Sequence, residues 1–384
     1  MLYRKLGNTG LEVSEVSLGC EYVWFSSEEE VKAVVDTALE AGINYIDIFV
    51  GTASTRENFG KALRGRRDRV YLAAHLGAAD KDGQYVRTRD EAVCRKFIGE
   101  FYEKLETDYV DVLFLHNCDD MQDFEGIMNG WMYAYAKELK DAGKARLIGF
   151  SSHNTKIAME AVKTGKIDVL MFPVNPLFNM LPQDTADARM RGLTLAQLTQ
   201  EEKDTYPDKQ QLYSLCKERG VGLIAMKPFA GGNILKAHEE GRLKGILELT
   251  PVQAISYVLS FPEVACPVPG FANVRELQEG LAYFTATEEE KDLSSIRKSL
   301  LGQFSGQCMY CNHCQPCPVK IDIAEVTKLA DMAEKGMTDA LKARYAALPV
   351  KADACLACGA CTKRCPFDID AAANIARAAK LFHE

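Results

Sequence analysis

Cysteine is the residue type in this chain whose spacing speaks most directly to chemistry. There are 13 cysteines in 384 residues, and eight of them fall between Cys308 and Cys365. Cys308, Cys311, Cys314 and Cys317 run C-x2-C-x2-C-x2-C and precede Pro318. Cys355, Cys358, Cys361 and Cys365 run C-x2-C-x2-C-x3-C and precede Pro366. Thiolates at steps of three let one tight loop wrap three corners of an iron–sulfur cubane, while the fourth, held by the Cys-Pro turn, reaches a neighbouring cluster. Structural zinc more often draws on two separated CxxC pairs per ion, so two tetrads ending in Cys-Pro point to two [4Fe–4S] clusters. A secreted disulfide scaffold would be short and carry an export signal, and the start MLYRKLGNTGLEVS has no apolar run of that kind.

A second set of reactive side chains is scattered through the body of the chain and gains meaning only from the elements that position it. Short apolar runs rich in Val, Ile, Leu and Phe recur at Val16–Gly19, Tyr45–Phe49, Val70–Leu76, Val110–His116, Ala145–Ser152, Val169–Val174, Gly222–Lys227 and Val264–Gly270. They lack strict alternation, as strands covered on both faces should. Amphipathic stretches lie between them, including Glu28–Ala41, Glu91–Leu105, Phe124–Ala142 and Pro251–Ser260. Eight strands alternating with helices predict an α/β fold, a (β/α)8 TIM barrel over residues 1–300, with a doubly wound open sheet as the alternative. The acidic runs Glu28–Glu30 and Glu288–Glu290, after Ser27 and Thr287, read as capped first turns. The polar segment Gln183–Asp208 reads as a mobile loop over the strand ends.

A barrel places its chemistry at the carboxyl ends of its strands. Those ends carry Cys20, Asp47, His75, His116, Ser151, Ser152, Asn175 and Lys227, with Asn273 just past the eighth. A buried Asp or His there costs free energy unless it is paired or functional, which singles out Asp47, His75 and His116 as the acid–base candidates. Cys20 and Cys118 read as small buried apolar groups.

Charge narrows the function classes. Lys and Arg total 46 against 54 Asp and Glu, a net charge of −8. Nucleic acid and anionic membrane both need a basic face, so neither is expected as a partner. No stretch approaches the ~18 apolar residues of a spanning helix. The expectation is a soluble, cytoplasmic protein acting on a small molecule.

In the tail, Ile323, Val326, Leu329 and Ala333 are spaced for a helix that breaks at Gly336, and Leu341, Tyr345 and Leu348 for a second. With its cysteines this segment, 301–384, resembles the α-helical ferredoxin domain. The resemblance implies Cys308, Cys311, Cys314 and Cys365 as ligands of one cluster, and Cys355, Cys358, Cys361 and Cys317 as ligands of the other.

The body carries GLEVSEVSLG, AGINYIDIF, FGKAL, TDYVDVLFLH, GKARLIGFSSHN, MKPFAGG and PVPGFANVRELQEGL in order. These resemble the aldo/keto reductases. HLG, GQYVRTRD, SSHN and MFPVNPLFN, together with two Cys-Pro tetrads, are similar to that family's iron–sulfur-bearing branch. The resemblance implies a barrel that reduces carbonyls with NADP(H) or NAD(H) bound across the strand ends. Asp47 and His116 stand in the places of the family's catalytic Asp and His. The places of its Tyr and Lys hold Thr52 and His75. A threonine hydroxyl is too weakly acidic to replace a tyrosine as general acid. The resemblance puts Ser151, Ser152, Asn175, Lys227, Gly231, Gly270 and Asn273 in position to contact the cofactor. Met171 stands for a Gln, and Gly270 and Glu276 for the basic residues that hold a 2′-phosphate, with Arg275 nearby.

Two oxidoreductase readings follow. In the first, nicotinamide hydride reduces a carbonyl or conjugated substrate at the barrel mouth. In the second, a one-electron donor such as a ferredoxin feeds the clusters, which pass electrons to a flavin or directly to substrate. A third reading treats Thr52 and His75 as marks of an altered barrel, a non-redox lyase or ligand-binding module with redox-sensing clusters.

Overall fold

Strand alternation explains how this chain brings its reactive side chains to one place. The computed structural model describes residues 1–24, 26–49, 52–81, 83–180, 209–232, 234–235, 249–293, 308, 314–365 and 369–383. A hairpin opens the chain, β1 (Tyr3–Lys5) antiparallel to β2 (Glu12–Ser14). The expected strands follow as β3 (Leu18–Gly19), β4 (Tyr45–Asp47) and β5 (Tyr71–Leu76). A short antiparallel hairpin, β6 (Ala78–Lys81) with β7 (Gln84–Arg87), interrupts the series. It resumes with β8 (Val110–Leu115), β9 (Ala145–Ser151), β10 (Val169–Pro173), β11 (Gly222–Met226) and β12 (Val264–Val268).

These eight strands form one parallel sheet in the order β3, β4, β5, β8, β9, β10, β11, β12. A parallel bridge between Gly19 and Gly270 joins the two ends, so the sheet is a barrel and the open-sheet alternative falls. Gly19 N–H donates to Pro269 O at 2.9 Å across that seam. The register aligns Asp47 with Ala73, and His75 with Phe114. Because side chains two residues apart share a face, Asp47, His75 and His116 point the same way, into the barrel. Below them Leu6, Leu11 and Val13 from the first hairpin pack with Tyr45, Val112 and Ile224 in one core and close the opposite end.

Helices start where capping chemistry allows. Ser27 and Glu30 form a capping box at the helix Glu28–Glu40, and Thr287 and Glu290 exchange the same pair of hydrogen bonds. The stretch expected as one helix, Phe124–Ala142, is two, Met121–Asn129 and Trp131–Asp141. Gly130 between them is extended, and a Cβ there would stand 2.2 Å from Gly126 O. The loop expected at Gln183–Asp208 lies outside the described residues.

The chain forms two compact units, one running to Leu293 and the other from Ser294. The boundary expected at 300 falls outside the described residues. In the second unit, the helices Ile323–Lys335 and Asp339–Ala346 meet at Gly336, with Ala371–His383 beside the first. Val326, Leu329, Leu341, Tyr345 and Ile375 form its core, and the rings of Tyr345 and Phe382 stack 4.0 Å apart. Among the described residues no helix is long and apolar enough to cross a membrane.

Candidate active site

A cleft of about 960 Å³ opens at the carboxyl ends of the barrel strands. That volume lies at the top of the ~300–1,000 Å³ range usual for ligand and cofactor sites. Its floor is a row of hydrogen-bonded groups. Asp47 Oδ1 lies 2.8 Å from His75 Nε2, and His75 Nδ1 lies 3.1 Å from His116 Nδ1. His116 Nε2 in turn lies 2.9 Å from the Tyr85 hydroxyl. All three strand-end groups are buried, His75 to 3% exposure and His116 to 5%. Phe114 stacks on His75, and Phe49 packs against His75, His116 and Tyr85 with centroids 4.9–5.5 Å apart.

The partners fix the tautomers. Asp47, as a carboxylate, can only accept, so His75 donates through Nε2–H and leaves Nδ1 as an acceptor. His116 then donates through Nδ1–H and accepts the Tyr85 proton at Nε2. Burial, then the charges of His75 and Arg89, hold the His116 pKa well below the usual histidine range, so this ring stays neutral. Burial raises the Tyr85 phenol, against a hydrogen bond from Asn117 and the charges of Arg87 and Arg89.

Tyr85 is the functional candidate that the sequence reading left in a motif without a role. It sits on β7, whose hairpin is tied to the loop after His116. Arg87 Nη1 and Arg89 Nη2 donate to Asn117 O at 3.1 and 3.0 Å, and Arg89 pairs with Asp123 at 2.6 Å. The signal in the sequence was the Tyr between Gln84 and Arg87, a lone aromatic in a polar run. Thr52 does not line the cleft. It caps the helix Ala53–Leu63, accepting from Thr55 N–H.

Of the residues expected to touch a cofactor, Ser151, Lys227, Gly231 and Gly270 line the cleft. Lys227 and Gly231 both have left-handed backbone, at φ 53° and 65°, in a tight turn after β11. Ser152, Asn175 and Asn273 do not line it, and each is occupied locally. Ser152 Oγ donates to Asp119 Oδ1 at 3.1 Å. Asn175 donates to Lys227 O at 2.9 Å and accepts Phe178 N–H at 2.7 Å. Asn273 caps the helix Val274–Leu281 by accepting Glu276 N–H at 3.0 Å.

A second acid–base pair flanks the first. His153 lines the cleft, and its Nδ1 lies 3.1 Å from Asp119 Oδ2. Burial opposes ionisation of Asp119, but the His153 ring and donors from His153 and Ser152 prevail and hold its pKa well below the usual range. Cys20 also lines the cleft; burial, then the charge of Asp47, pushes its thiol up and keeps it protonated. Cys118 is pushed up the same way, chiefly by burial.

In the tail, Cys317, Cys355, Cys358 and Cys361 line one small pocket. Ala357 N–H points at Cys355 Sγ at 3.4 Å. Arg364 donates to Cys314 O at 2.8 Å and Pro316 O at 2.6 Å, tying the two cysteine motifs together. Cys308, Cys314 and Cys365 are half-buried, and Cys311 lies outside the described residues. Among the described residues, no group of three or more His, Cys, Asp or Glu side chains is drawn close enough to hold a metal ion.

The fold is a closed parallel barrel with a hydrogen-bonded row at its strand ends, and comparison with known proteins places it in a class. The chain matches the Aldo/keto reductase family over residues 16–251. It is 28% identical over 314 residues to an uncharacterized oxidoreductase, YqkF, of Bacillus subtilis, covering 78% of this chain and 97% of that one. It is 27% identical over 339 residues to L-galactose dehydrogenase of Arabidopsis thaliana, covering 77% and 93%. Among solved structures it is similar to an aldo-keto reductase of Bacillus halodurans in its holo form, with a TM-score of 0.59, 23% identity, and coverage of 78% and 96%. The chain belongs to the aldo/keto reductase family, and it is an oxidoreductase. These matches do not favour the non-redox reading, which is not carried further.

Proposed function

We propose that the barrel reduces the carbonyl of a small molecule with electrons from a nicotinamide cofactor, and that the tail holds two [4Fe–4S] clusters. The observation that carries the first part is the buried row Asp47–His75–His116 along the cleft floor. Reducing a carbonyl needs a hydride at carbon and a proton at oxygen. The bound nicotinamide supplies the hydride. The row supplies the proton, since its groups exchange donor and acceptor roles without moving.

The cleft suits such a cofactor in two respects. It is large, and its wall contains a buried polar atom without a partner among the described residues, His153 Nε2, placed to meet an amide-bearing ring. Ser151, Lys227, Gly231 and Gly270 would contact it. The adenosine end would lie beside Arg275, Glu276 and Glu279. The Glu276 carboxylate already accepts Ala272 N–H at 2.8 Å at that helix start, so a 2′-phosphate would face it. NAD(H) is therefore the preferred form over NADP(H). Fluorescence titration should give an NADH Kd at least tenfold below that for NADPH, and equal affinities would refute the preference.

For the tail, the fit rests on donor chemistry. Four thiols around one pocket would be the ligand set of one cubane. This supports Cys317, Cys355, Cys358 and Cys361 for one cluster, and leaves Cys308, Cys311, Cys314 and Cys365 for the other. When bound, the clusters supply one-electron steps. A ferredoxin-like donor, or a flavin as converter between one and two electrons, fits the chain only through them.

A further inference from the structure

We infer that Tyr85, on the hairpin between β5 and β8, is the catalytic acid that hands the proton to the substrate oxygen. The inference rests on the reductase reading above and names the atom through which the buried row reaches the substrate.

Asp47 and His75 are buried, and the row engages Asp47 Oδ1 and both ring nitrogens of His75. His116 Nε2 points along the row, but the Tyr85 hydroxyl lies on it at 2.9 Å. A substrate oxygen therefore cannot take that position without displacing the phenol. Tyr85 is less buried than the three groups behind it and lines the cleft, so its oxygen is where the row meets substrate. The hairpin holds it there firmly. Ala78, Ala79 and Phe97 pack beneath with Phe49 and Val86, while Arg87 and Arg89 fasten the base to Asn117, the residue after His116.

The proton balance closes. With one extra proton, His75 is an imidazolium whose Nε2–H stays on the Asp47 carboxylate and whose Nδ1–H points at His116 Nδ1. His116 then donates Nε2–H to the Tyr85 oxygen, and the Tyr85 O–H faces the cleft. As the carbonyl carbon gains the hydride pair, its oxygen takes the Tyr85 proton. Tyr85 takes one from His116 Nε2, and His116 takes one at Nδ1 from His75. What remains is the arrangement of neutral rings deduced above, with Asp47 ionised. His116 is neutral before and after, which its burial requires.

The test is Tyr85→Phe in the full chain, which keeps the ring and removes only the hydroxyl. NADH-dependent reduction of a panel of small aldehydes and ketones is measured from pH 5.5 to 9, with NADH affinity followed by fluorescence. Tyr85→Phe should lower kcat by about 10²–10⁴ and leave the NADH Kd and KM within threefold. Thr52→Ala should match wild type throughout. A Tyr85→Phe enzyme within threefold of wild-type kcat would overturn the inference and leave the reductase reading standing. A wild-type chain that oxidises NADH with no carbonyl of the panel would overturn both.

Discussion

At the residue scale, three buried groups can pass a proton along a row only while each is held in one orientation, and here the hold comes from both ends. Asp47 sets the orientation of His75, and the Tyr85 phenol caps His116. His116 also leaves a thermodynamic trace. Burial lowers its folded pKa, so below the ordinary histidine pKa of ~6.5 the unfolded chain binds a proton that the native chain does not. Its contribution is fully present above that pH and is lost as pH falls toward the depressed folded value. We expect stability to drop by up to about 1.4 kcal/mol per pH unit from this site below pH 6.5. Urea denaturation of wild type and His116→Gln at pH 7.5 and 5.5 checks it: the variant should lose less stability between the two. An equal or greater loss in the variant would contradict the assignment.

At the scale of elements, position on a strand proved readable where position on a hairpin did not. Asp47, His75 and His116 each end an apolar run, so the barrel rule pointed to them before their contacts were known. Tyr85 lies in a hairpin with strands of four residues, too short to show an alternation, and its partners are 31 residues away. The pairing arises from tertiary packing and has no local signature. The break at Gly130 was hidden likewise, since apolar periodicity runs on through Phe124–Ala142 and a lone glycine is weak punctuation. Asn175 and Asn273 show that helix-end hydrogen bonding and cofactor binding draw on the same residue types, since both side chains are engaged locally. Close helix packing yields its own prediction. Gly60 lies where a Cβ would stand 2.3 Å from Lys104 O, a backbone atom that cannot turn aside. Gly60→Ala should destabilise the chain by about 1–3 kcal/mol, read as a lowered urea midpoint; an unchanged midpoint would mean that the two segments separate freely.

At the scale of the whole molecule, an aldo/keto reductase barrel is followed in the same chain by a helical unit that carries two cysteine motifs. The two clusters proposed for the tail rest on the cysteine spacing and on the shared pocket of Cys317, Cys355, Cys358 and Cys361. Anaerobically prepared protein should contain about eight iron atoms per chain, as two four-iron clusters require. Cys358→Ala should lower this to about four, while a value unchanged from wild type would remove Cys358 from the ligand set.

The most direct test of the central claim follows hydrogen rather than absorbance. The full chain, prepared anaerobically, is given NADH deuterated at C4 in each stereochemical form, together with a panel of small carbonyl compounds, and the alcohols are analysed by mass spectrometry. The account predicts that one of the two forms delivers its deuterium to the former carbonyl carbon, while the hydroxyl hydrogen comes from solvent. Alcohol carrying only solvent hydrogen at that carbon, or no alcohol from any member of the panel, would contradict it.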